Sequence, residues 1–346
     1  MEIRENVPIG QLTTMRLGGE ARYVISVKNL AELRQAYDFA HKKHLPVFAL
    51  GSGANIIGRD SGFKGVIIKN EITGDVSQRN INDGEAEFTA PSGMILDDFI
   101  AHVSDLGFTG IEAMSKIPGT VGSAPVQNVG AYGQDISQVL QSVEVYDAKD
   151  DIVKTIAAED CNFTYRHSIF NTNPELAERY FILSITIKLQ KANPQPPFYN
   201  SLQAYIDSHD IKEVTPAVVR QAVSEIRAQK LPDPDKVASA GSFFQNVYLS
   251  SPEEIAAAEE KGIPVWKGGK ISGAWLMDQS GLKGKEFHGF KIWDSAPLVL
   301  ANVSAKSFTD LELARQEIRA IVQEKFGYTL NQEPVELGDK NEVTER

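Results

Sequence analysis

The stretch GTVGSAPVQNVGAYG, residues 119–133, places four glycines and a proline in fifteen positions and contains no charged residue. It has neither the period of a helix nor the alternation of a strand. A turn needs only one or two glycines. Backbone without side chains allows a ligand to approach closely, and Thr120, Ser123, Gln127 and Asn128 supply groups that form hydrogen bonds. The composition therefore favours a long ligand lying along this backbone.

A second glycine cluster, Gly51-Ser52-Gly53-Ala54-Asn55, follows a short apolar run at 46–50 that predicts a buried strand. A strand followed by G-x-G opens the dinucleotide-binding fingerprint, but here the third glycine is absent at the required spacing. Residues 56–62 also read as a loop and not as a helix, so the Rossmann interpretation fails. Two interpretations stay open: a nest of backbone amides for an anion, and a tight turn between strands.

Two separate glycine-rich loops in one chain suggest a ligand that has both a pyrophosphate and a flat, polar ring system. Flavin adenine dinucleotide (FAD) fits that description, because its phosphates suit exposed backbone amides and its ring suits an uncharged loop. The alternative is a pair of unrelated irregular loops.

Composition and charge argue against several classes of protein. The 346 residues suffice for two or three domains, and a net charge of -11 disfavours binding to nucleic acid or to an anionic membrane. Cys161 is the one cysteine, so no intramolecular disulfide or multi-cysteine metal site is expected. His41 and His44 have no acidic third ligand nearby, so we expect no metal. The N-terminus has no apolar signal region, and we expect a cytoplasmic protein.

Hydrophobic periodicity predicts a mixture of helices and strands, which indicates an α+β fold in about three pieces. The helices are predicted at 29–43, 95–106, 216–229, 252–261 and 309–326. The strands are predicted at 46–50, 66–69, 85–90, 142–146 and 180–189.

Six segments and their order along the chain resemble those of the UDP-N-acetylenolpyruvoylglucosamine reductase family, a group of flavoenzymes. The resemblance covers residues 6–333, nearly the whole chain. The segments are LGSGANII (50–57), IPGTVGSAPVQNVGAYG (117–133), FTYRHSIF (163–170), KLPDP (230–234), AGSFFQN (240–246) and LNQEP (330–334).

The resemblance implies an FAD-binding fold of the vanillyl-alcohol-oxidase (PCMH) type, made of two α+β subdomains, followed by a C-terminal α+β substrate domain. It places the first subdomain at 1–73 and the second at 74–228, with the PCMH-type region at about 17–190. The substrate domain then covers 229–346 and includes a polar C-terminal tail.

The resemblance also implies the cofactors: FAD, and NADPH as the reducing co-substrate. It assigns FAD binding to both glycine clusters, with the first near the pyrophosphate and the second wrapping the cofactor. The residues are Gly51, Ser52, Gly53, Ala54, Asn55, Gly119, Thr120, Gly122, Ser123, Gly130, Ala131, Tyr132 and Gly133.

Three residues match the family's catalytic positions. Arg166 suits the substrate carboxylate, because a guanidinium donates two parallel hydrogen bonds and stays charged. The resemblance makes Ser242 the proton donor to the enolate, although a serine beside a glycine is commonly a turn or cap residue. It makes Glu333 a stabiliser of the enolate. The family's usual pattern has an acidic residue where this chain has Asn331, so an alignment shifted to Glu336 is an alternative.

The resemblance further implies three substrate contacts. Lys230 suits a diphosphate as a point charge. Asn246 suits the UDP part, and Tyr199 matches a flexible tyrosine loop that would stack on uracil; an ordinary loop aromatic is the alternative. A glutamine expected by the family near Ser295 and Ala296 is missing, which leaves one nucleotide contact unassigned.

The resemblance therefore implies an NADPH-dependent reductase that converts UDP-N-acetylglucosamine enolpyruvate to UDP-N-acetylmuramate for peptidoglycan, with hydride delivered from flavin N5. We expect a monomer without nucleic-acid or membrane partners. Two alternatives stay open: another oxidoreductase on the same FAD scaffold, and a non-catalytic protein that binds flavin or a UDP-sugar. The first is disfavoured because alcohol oxidation needs a base and not an enolate acid.

Overall fold

A computed structural model of the chain describes residues 1–338; all but the first two of the ten residues predicted as a polar tail, 337–346, lie outside them. The chain divides into two compact units. Unit 1 consists of Met1–Glu5, Arg22–Ser52 and Lys64–Gln229, and unit 2 of Asn6–Ala21, Gly53–Phe63 and Lys230–Arg346. The division into domains at residues 73/74 and 228/229 stays a prediction.

Runs of strands are interspersed with helices along the part of the chain that the structure describes. The strands are β1 (Ile3–Pro8), β2 (Glu20–Val27), β3 (Val47–Leu50), β4 (Ile56–Gly58), β5 (Phe63–Asn70), β6 (Ser77–Asn82), β7 (Glu85–Pro91), β8 (Phe108–Thr109), β9 (Gly130–Ala131), β10 (Gln134–Asp135), β11 (Leu140–Asp147), β12 (Ile152–Ala157), β13 (Tyr180–Lys191), β14 (Ala238–Ser242), β15 (Val247–Tyr248), β16 (Lys270–Ile271), β17 (Glu286–Phe287), β18 (Phe290–Ile292), β19 (Val299–Asn302) and β20 (Val335–Leu337). The α-helices are α1 (Leu30–Lys42), α2 (Leu96–Asp105), α3 (Ile169–Thr172), α4 (Pro174–Arg179), α5 (Asn200–Ser208), α6 (Pro216–Lys230), α7 (Pro252–Glu260), α8 (Gly273–Gln279) and α9 (Phe308–Phe326).

All five predicted helices are confirmed as α1, α2, α6, α7 and α9, and all five predicted strands are present, with their ends shifted by a few residues. The expected loop at 56–62 is wrong in part, because Ile56–Gly58 forms strand β4. Three residues are too few to show an alternating pattern in the sequence, and the partner strand lies far along the chain.

Unit 1 contains two sheets. The first has the strand order β1-β2-β5-β3, and β3 runs parallel to β5. Helix α1 packs against it through Leu33, Ala36 and Ala40. The second sheet has the order β12-β11-β13-β7-β6, with antiparallel neighbours throughout. Helix α2 packs into the hydrophobic core that covers this sheet, where it buries Phe99, Ile100 and Val103. The helix that precedes the glycine stretch is therefore fixed in position.

Unit 2 is built on an antiparallel sheet of order β14-β19-β18-β17. Its core includes Phe243, Leu276, Phe290 and Ile318, all fully buried. Strand β4 pairs in parallel with β20, so two segments from opposite ends of the chain join here. Helix α9 begins at a capping box in which Ser307 and Asp310 exchange side-chain to backbone hydrogen bonds. None of the helices within residues 1–338 is long and apolar enough to cross a membrane.

A buried carboxylate ties together three elements of unit 1. Asp147, at the end of β11, is fully buried. Arg179 donates to its Oδ1 from Nε at 2.5 Å and to its Oδ2 from Nη2 at 2.6 Å, and Lys154 Nζ donates to Oδ2 at 2.8 Å. The hydrogen bonds from Arg179 hold the pKa of Asp147 well below its usual range despite its burial.

We expect Asp147→Asn to destabilise the protein by about 2–3 kcal/mol at pH 7, because Arg179 and Lys154 would lose their shared anion while both still reach solvent. The pKa is depressed in the folded state, so the ionised group stabilises the fold above the pKa of the unfolded chain. That stability is lost as the pH falls through the lower, folded pKa. Urea unfolding of both proteins should give a difference that narrows below about pH 4.

Asp210→Asn is the matched control, because Asp210 pairs with Lys212 where both side chains are about four-fifths exposed (82% and 81%). We expect a change below about 0.5 kcal/mol, as for most surface ion pairs. Equal losses from the two substitutions would contradict a special role for Asp147.

Candidate active site

The start of the glycine stretch is fixed by backbone hydrogen bonds within unit 1. The amide of Val121 donates to Met94 O at 2.8 Å, and the amide of Gly122 donates to Ser92 O at 2.8 Å. A Cβ on Gly122 would lie 2.5 Å from the Cβ of the buried Ser92. Gly122 is therefore required by contact with the chain itself, and not only by a ligand.

The end of the stretch is a small hairpin in which β9 pairs with β10. A Cβ on Gly130 would lie 2.5 Å from Gln134 O, so this glycine too has an internal reason. Gly119 and Gly133 differ, because their φ angles of 154° and 89° favour glycine. Two of the four glycines thus allow close packing, and the other two allow an unusual backbone conformation. The sequence alone attributes all four to the approach of a ligand.

Gly51 and Thr120, 69 positions apart in sequence, are neighbours in unit 1. A Cβ on Gly51 would lie 2.8 Å from Thr120 Oγ1 and 3.6 Å from Ser123 Cβ. The Thr120 hydroxyl is buried and has no hydrogen-bond partner among the described residues. The structure therefore brings together Gly51 of the first cluster and the start of the second around a buried polar group.

The last three residues of the first cluster, Gly53, Ala54 and Asn55, belong to unit 2. Gly53 has a φ of 74°, and a Cβ there would lie 2.0 Å from Leu12 O. The amide of Thr14 donates to Gly53 O at 3.2 Å, and its hydroxyl donates to Ala54 O at 3.3 Å. The carbonyl of Asn55 accepts from the amide of Val335 at 2.9 Å. These contacts give Gly53–Asn55 a fixed path into β4.

Arg166 lies in a two-residue turn of unit 1. Thr164 and His167 close the turn by reciprocal backbone hydrogen bonds of 3.0 and 3.2 Å. Arg166 has a φ of 61°, a left-handed conformation that is unusual for a residue with a side chain and is common at functional sites. Its guanidinium donates to Asn128 O at 3.4 Å and to Gly130 O at 3.2 Å, both within the glycine stretch.

Tyr199 is half exposed and immediately precedes α5. Its ring meets that of Tyr132 edge to face, with centroids 5.5 Å apart. Arg227 of α6 forms a hydrogen bond with the Tyr132 hydroxyl. Burial raises the pKa of Tyr132 and lowers that of Arg227. The predicted uracil-stacking residue therefore contacts a residue predicted to bind FAD.

Ser242 and Glu333 lie on neighbouring segments of unit 2. The amide of Glu333 donates to Phe243 O at 2.9 Å, and the amide of Gln245 donates to Asn331 O at 2.8 Å. Phe244 and Gln332 form an antiparallel bridge between these bonds. Strand pairing thus joins two predicted catalytic residues that are 91 positions apart in the sequence.

The Ser242 side chain is exposed, whereas the rings of Phe243 and Phe244 are fully buried. The pairing of β14 with β19 is irregular between Ser239 and Ser242. Gly241, within this irregularity, has a φ of 70° and open space where a Cβ would lie. The irregularity therefore holds the serine hydroxyl outside the core while the next residue enters it.

Glu336, the alternative acid, is held in a buried ion cluster. Arg59 Nη2 donates to its Oε2 and Arg315 Nη1 to its Oε1, each at 2.6 Å. Burial raises the pKa of Glu336, but the two arginines lower it by more than burial raises it, so the net shift is downward. A carboxylate held in this way is poorly suited to share or donate a proton.

The predicted substrate contacts of unit 2 have the following positions. Lys230 is exposed, and its carbonyl accepts a hydrogen bond of 2.6 Å from the hydroxyl of Ser295, near the position of the missing family glutamine. Asn246 accepts a hydrogen bond from the amide of Gly273 at 3.1 Å, at the start of α8. That bond orients the Asn246 amide group.

Sequence reasoning named Asn128 only as a hydrogen-bonding group of the glycine stretch, and it did not select Arg227 or Gln332. Asn128 is buried and joins the glycine stretch to the Arg166 turn, since its Nδ2 donates to Thr164 O at 3.2 Å. Its place inside the quoted motif was the available signal. Gln332 likewise lies inside a quoted motif, LNQEP, whereas Arg227 had no such signal, because its role depends on Tyr132, which is remote in sequence. Within residues 1–338, no group of three His, Cys, Asp or Glu side chains could hold a metal ion.

Comparisons with known proteins agree with this arrangement. Residues 21–156 match a family described as FAD binding domain, and residues 233–337 match the C-terminal domain of UDP-N-acetylenolpyruvoylglucosamine reductase. The reductase of Thermobifida fusca is 35% identical, with 96% of this chain and 97% of that protein covered. The reductase of Neisseria gonorrhoeae is 33% identical, with 96% of each covered.

A crystal structure of the corresponding reductase from Thermus caldophilus has a similar fold, with a TM-score of 0.65 at 21% identity. It covers 97% of this chain and 100% of that one. The fold is therefore a PCMH-type FAD-binding region followed by a C-terminal α+β domain. From the identity and coverage of its relatives, the chain belongs to the UDP-N-acetylenolpyruvoylglucosamine reductase family.

Proposed function

We propose that this chain is an FAD-dependent reductase that converts UDP-N-acetylglucosamine enolpyruvate to UDP-N-acetylmuramate at the expense of NADPH, in peptidoglycan synthesis. The observation that carries the proposal is the strand pairing that joins Ser242 to Glu333 in a chain of this family. A cytoplasmic, monomeric protein without nucleic-acid or membrane partners is part of the same proposal.

The residues of the glycine clusters fit FAD. The buried Thr120 hydroxyl lacks a partner among the described residues, beside the bare backbone of Gly51, and a phosphate or ring polar group would satisfy it. Ser52, Ser123 and the backbone of Gly130–Gly133 would bind other polar parts of the cofactor. FAD held by these residues would supply the hydride chemistry that links NADPH to the enolpyruvyl double bond of the substrate.

Ser242 acts as the acid in this proposal. Its hydroxyl is exposed on the irregular part of β14, so a substrate can reach it. Reduction of the vinyl group leaves negative charge on the carbon beside the carboxylate, and that carbon needs a proton. A serine is a weak acid, so it requires a strongly basic acceptor such as an enolate.

Arg166 and Glu333 stabilise the developing enolate. Arg166 projects from a strained turn, and its fixed fork suits a planar carboxylate. Glu333 is favoured over Glu336, because Glu336 is already held by Arg59 and Arg315. A glutamate stabilises an enolate acid by sharing a proton with the substrate carboxylate, and the two arginines make that unfavourable for Glu336.

Lys230, Asn246 and Tyr199 are proposed to bind the UDP part. The exposed ammonium of Lys230 suits the diphosphate. The Asn246 amide is held in one orientation by Gly273, which suits a specific hydrogen bond. Tyr199 exposes about half of its surface for stacking on uracil.

The two half-reactions test the proposal directly by anaerobic stopped-flow absorbance on the purified protein. NADPH should bleach the yellow flavin, and UDP-N-acetylglucosamine enolpyruvate should then restore its colour. Bleaching by NADPH without restoration by the enolpyruvyl sugar would support a flavoprotein but reject the proposed substrate. Restoration by O₂ alone would favour an oxidase on the same scaffold, and tight binding of the sugar nucleotide without turnover would favour a binding protein.

We expect Ser242→Ala to leave flavin reduction by NADPH intact and to slow reoxidation by the substrate by about 10²–10⁴-fold, the usual contribution of a positioned acid. Rapid mixing of the pre-reduced variant with substrate measures this rate. Ser239→Ala, on the same strand β14, is the control and should reoxidise like the unmodified protein. Reoxidation of Ser242→Ala at the unmodified rate would remove Ser242 from its role.

We expect Gly122→Ala to destabilise the protein by about 1–3 kcal/mol and to weaken FAD binding at least about tenfold, because the added Cβ must displace Ser92 and the start of the glycine stretch. Titration of the FAD-free protein, followed by flavin fluorescence, measures the affinity. Gly74→Ala is the control, because a Cβ there meets nothing within 4 Å. Unchanged FAD affinity of Gly122→Ala would reject the proposed cofactor loop.

A further inference from the structure

The segment that carries Glu333 is held from one side by helix α9. Arg319 Nε donates to Leu330 O at 2.7 Å. One turn earlier, Arg315 Nη1 donates to Gln332 Oε1 at 2.8 Å and to Glu336 Oε1 at 2.6 Å. Arg315 is 7% exposed, so these hydrogen bonds lie in the interior of unit 2. Helix α9 thus anchors the segment both before and after Glu333.

The side-chain amide of Gln332 bridges directly across Glu333. Its Nε2 donates to Pro334 O at 2.8 Å and to Glu336 Oε1 at 3.2 Å. The amide of Glu333 itself donates to Phe243 O at 2.9 Å. The backbone on both sides of Glu333 is therefore fixed, by Phe243 on one side and by Gln332 on the other.

These contacts also determine where the Glu333 side chain points. The Phe244–Gln332 bridge shows that this segment is extended, and neighbouring residues in an extended segment direct their side chains to opposite faces. The Gln332 side chain faces Arg315. The Glu333 carboxylate is consequently directed away from α9.

We propose that Gln332 is a positioning residue for Glu333: anchored on Arg315, it fixes the backbone and the direction of the carboxylate that stabilises the enolate. This inference rests on the proposed function and adds to it a residue that acts without touching the substrate. Enzymes lose rate steeply when a reacting group moves by about 1 Å, so the anchor should matter for the substrate half-reaction.

The test replaces Gln332 with methionine, which has a similar length and no amide, while Glu336 keeps both of its arginines. We expect Gln332→Met to be reduced by NADPH at the unmodified rate and to be reoxidised by substrate about 10–10²-fold more slowly. Substrate affinity should change little. Gln316→Met, the same change at an exposed position of α9, is the matched control and should leave both half-reactions unchanged.

A double-mutant cycle separates positioning from general damage. If Gln332 acts through Glu333, then Gln332→Met should cause no further slowing in a Glu333→Gln background. Slowing by the same factor in both backgrounds would overturn the proposal. So would equal slowing of both half-reactions, or reoxidation of Gln332→Met at the unmodified rate. Arg315→Lys, which retains the charge but changes the geometry of donation, is the second variant and should show the same half-reaction split.

Hydrogen exchange gives a readout that does not depend on turnover. We expect faster amide exchange across residues 330–337 in Gln332→Met than in Gln316→Met, because the bridge across Glu333 is gone. Unchanged exchange would overturn the proposal even if rates fell. If the unmodified protein fails to turn over the enolpyruvyl sugar, the proposed function fails, and exchange at 330–337 still decides whether Gln332 holds this segment.

Discussion

The parallel pairing of β4 with β20 is the constraint on which the arrangement of unit 2 depends. It brings the C-terminal segment beside the strand that follows Gly53–Asn55. Directly behind this pairing, Glu336 is shared by Arg59 and Arg315, so each strand is also tied by side chains. Buried ion pairs contribute little net stability, because desolvation offsets their attraction. Their value here lies in fixing one register, since a shift of one residue would leave buried charges unpaired.

That register in turn determines the geometry around Ser242. The segment before β20 pairs with Phe243–Gln245 and places Glu333 beside the strand that presents the serine hydroxyl. The same alternation sends Gln332 toward α9 and Glu333 away from it. One strand pair, one buried ion cluster and one helix therefore determine the position of a predicted catalytic glutamate. The chemistry proposed for it needs this precision, because catalytic gain depends on preorganised groups.

Much of the fold could be predicted from local patterns in the sequence. The long helices α1, α6 and α9 could be predicted from the spacing of their apolar residues, and their predicted limits agree with the structure within a few residues. Strand β4 was missed because three residues have no measurable period and its partner lies near the other end of the chain. Family motifs selected Ser242 and Glu333, but nothing in either motif indicated that the two segments pair. Gln332 was missed for the same reason, since its role is defined by Arg315 and Pro334 and not by its own type.

The glycine stretch shows a related limit. Its composition correctly marked an unusual backbone, but Gly122 and Gly130 are required by Ser92 and Gln134, which the sequence did not connect with them. Three non-glycine residues with left-handed backbone conformations lie in the stretch or beside it: Asn128, Tyr132 and Arg166. Each such residue costs free energy that the surrounding contacts must offset, which is typical of functional sites.

Unit 2 is built from three segments that are separated in the sequence, and this determines when it can be completed during synthesis. Arg59 leaves the ribosome 277 residues before its partner Glu336. At cellular translation rates the time between synthesis of Arg59 and synthesis of Glu336 is roughly 15–60 s. Residues 64–229 of unit 1 are synthesised within that time. Strand β4 therefore spends that time without its neighbour and its ion pair. The nascent chain has a half-built unit with an unpaired strand edge, and this is the period in which chaperones would have most to protect.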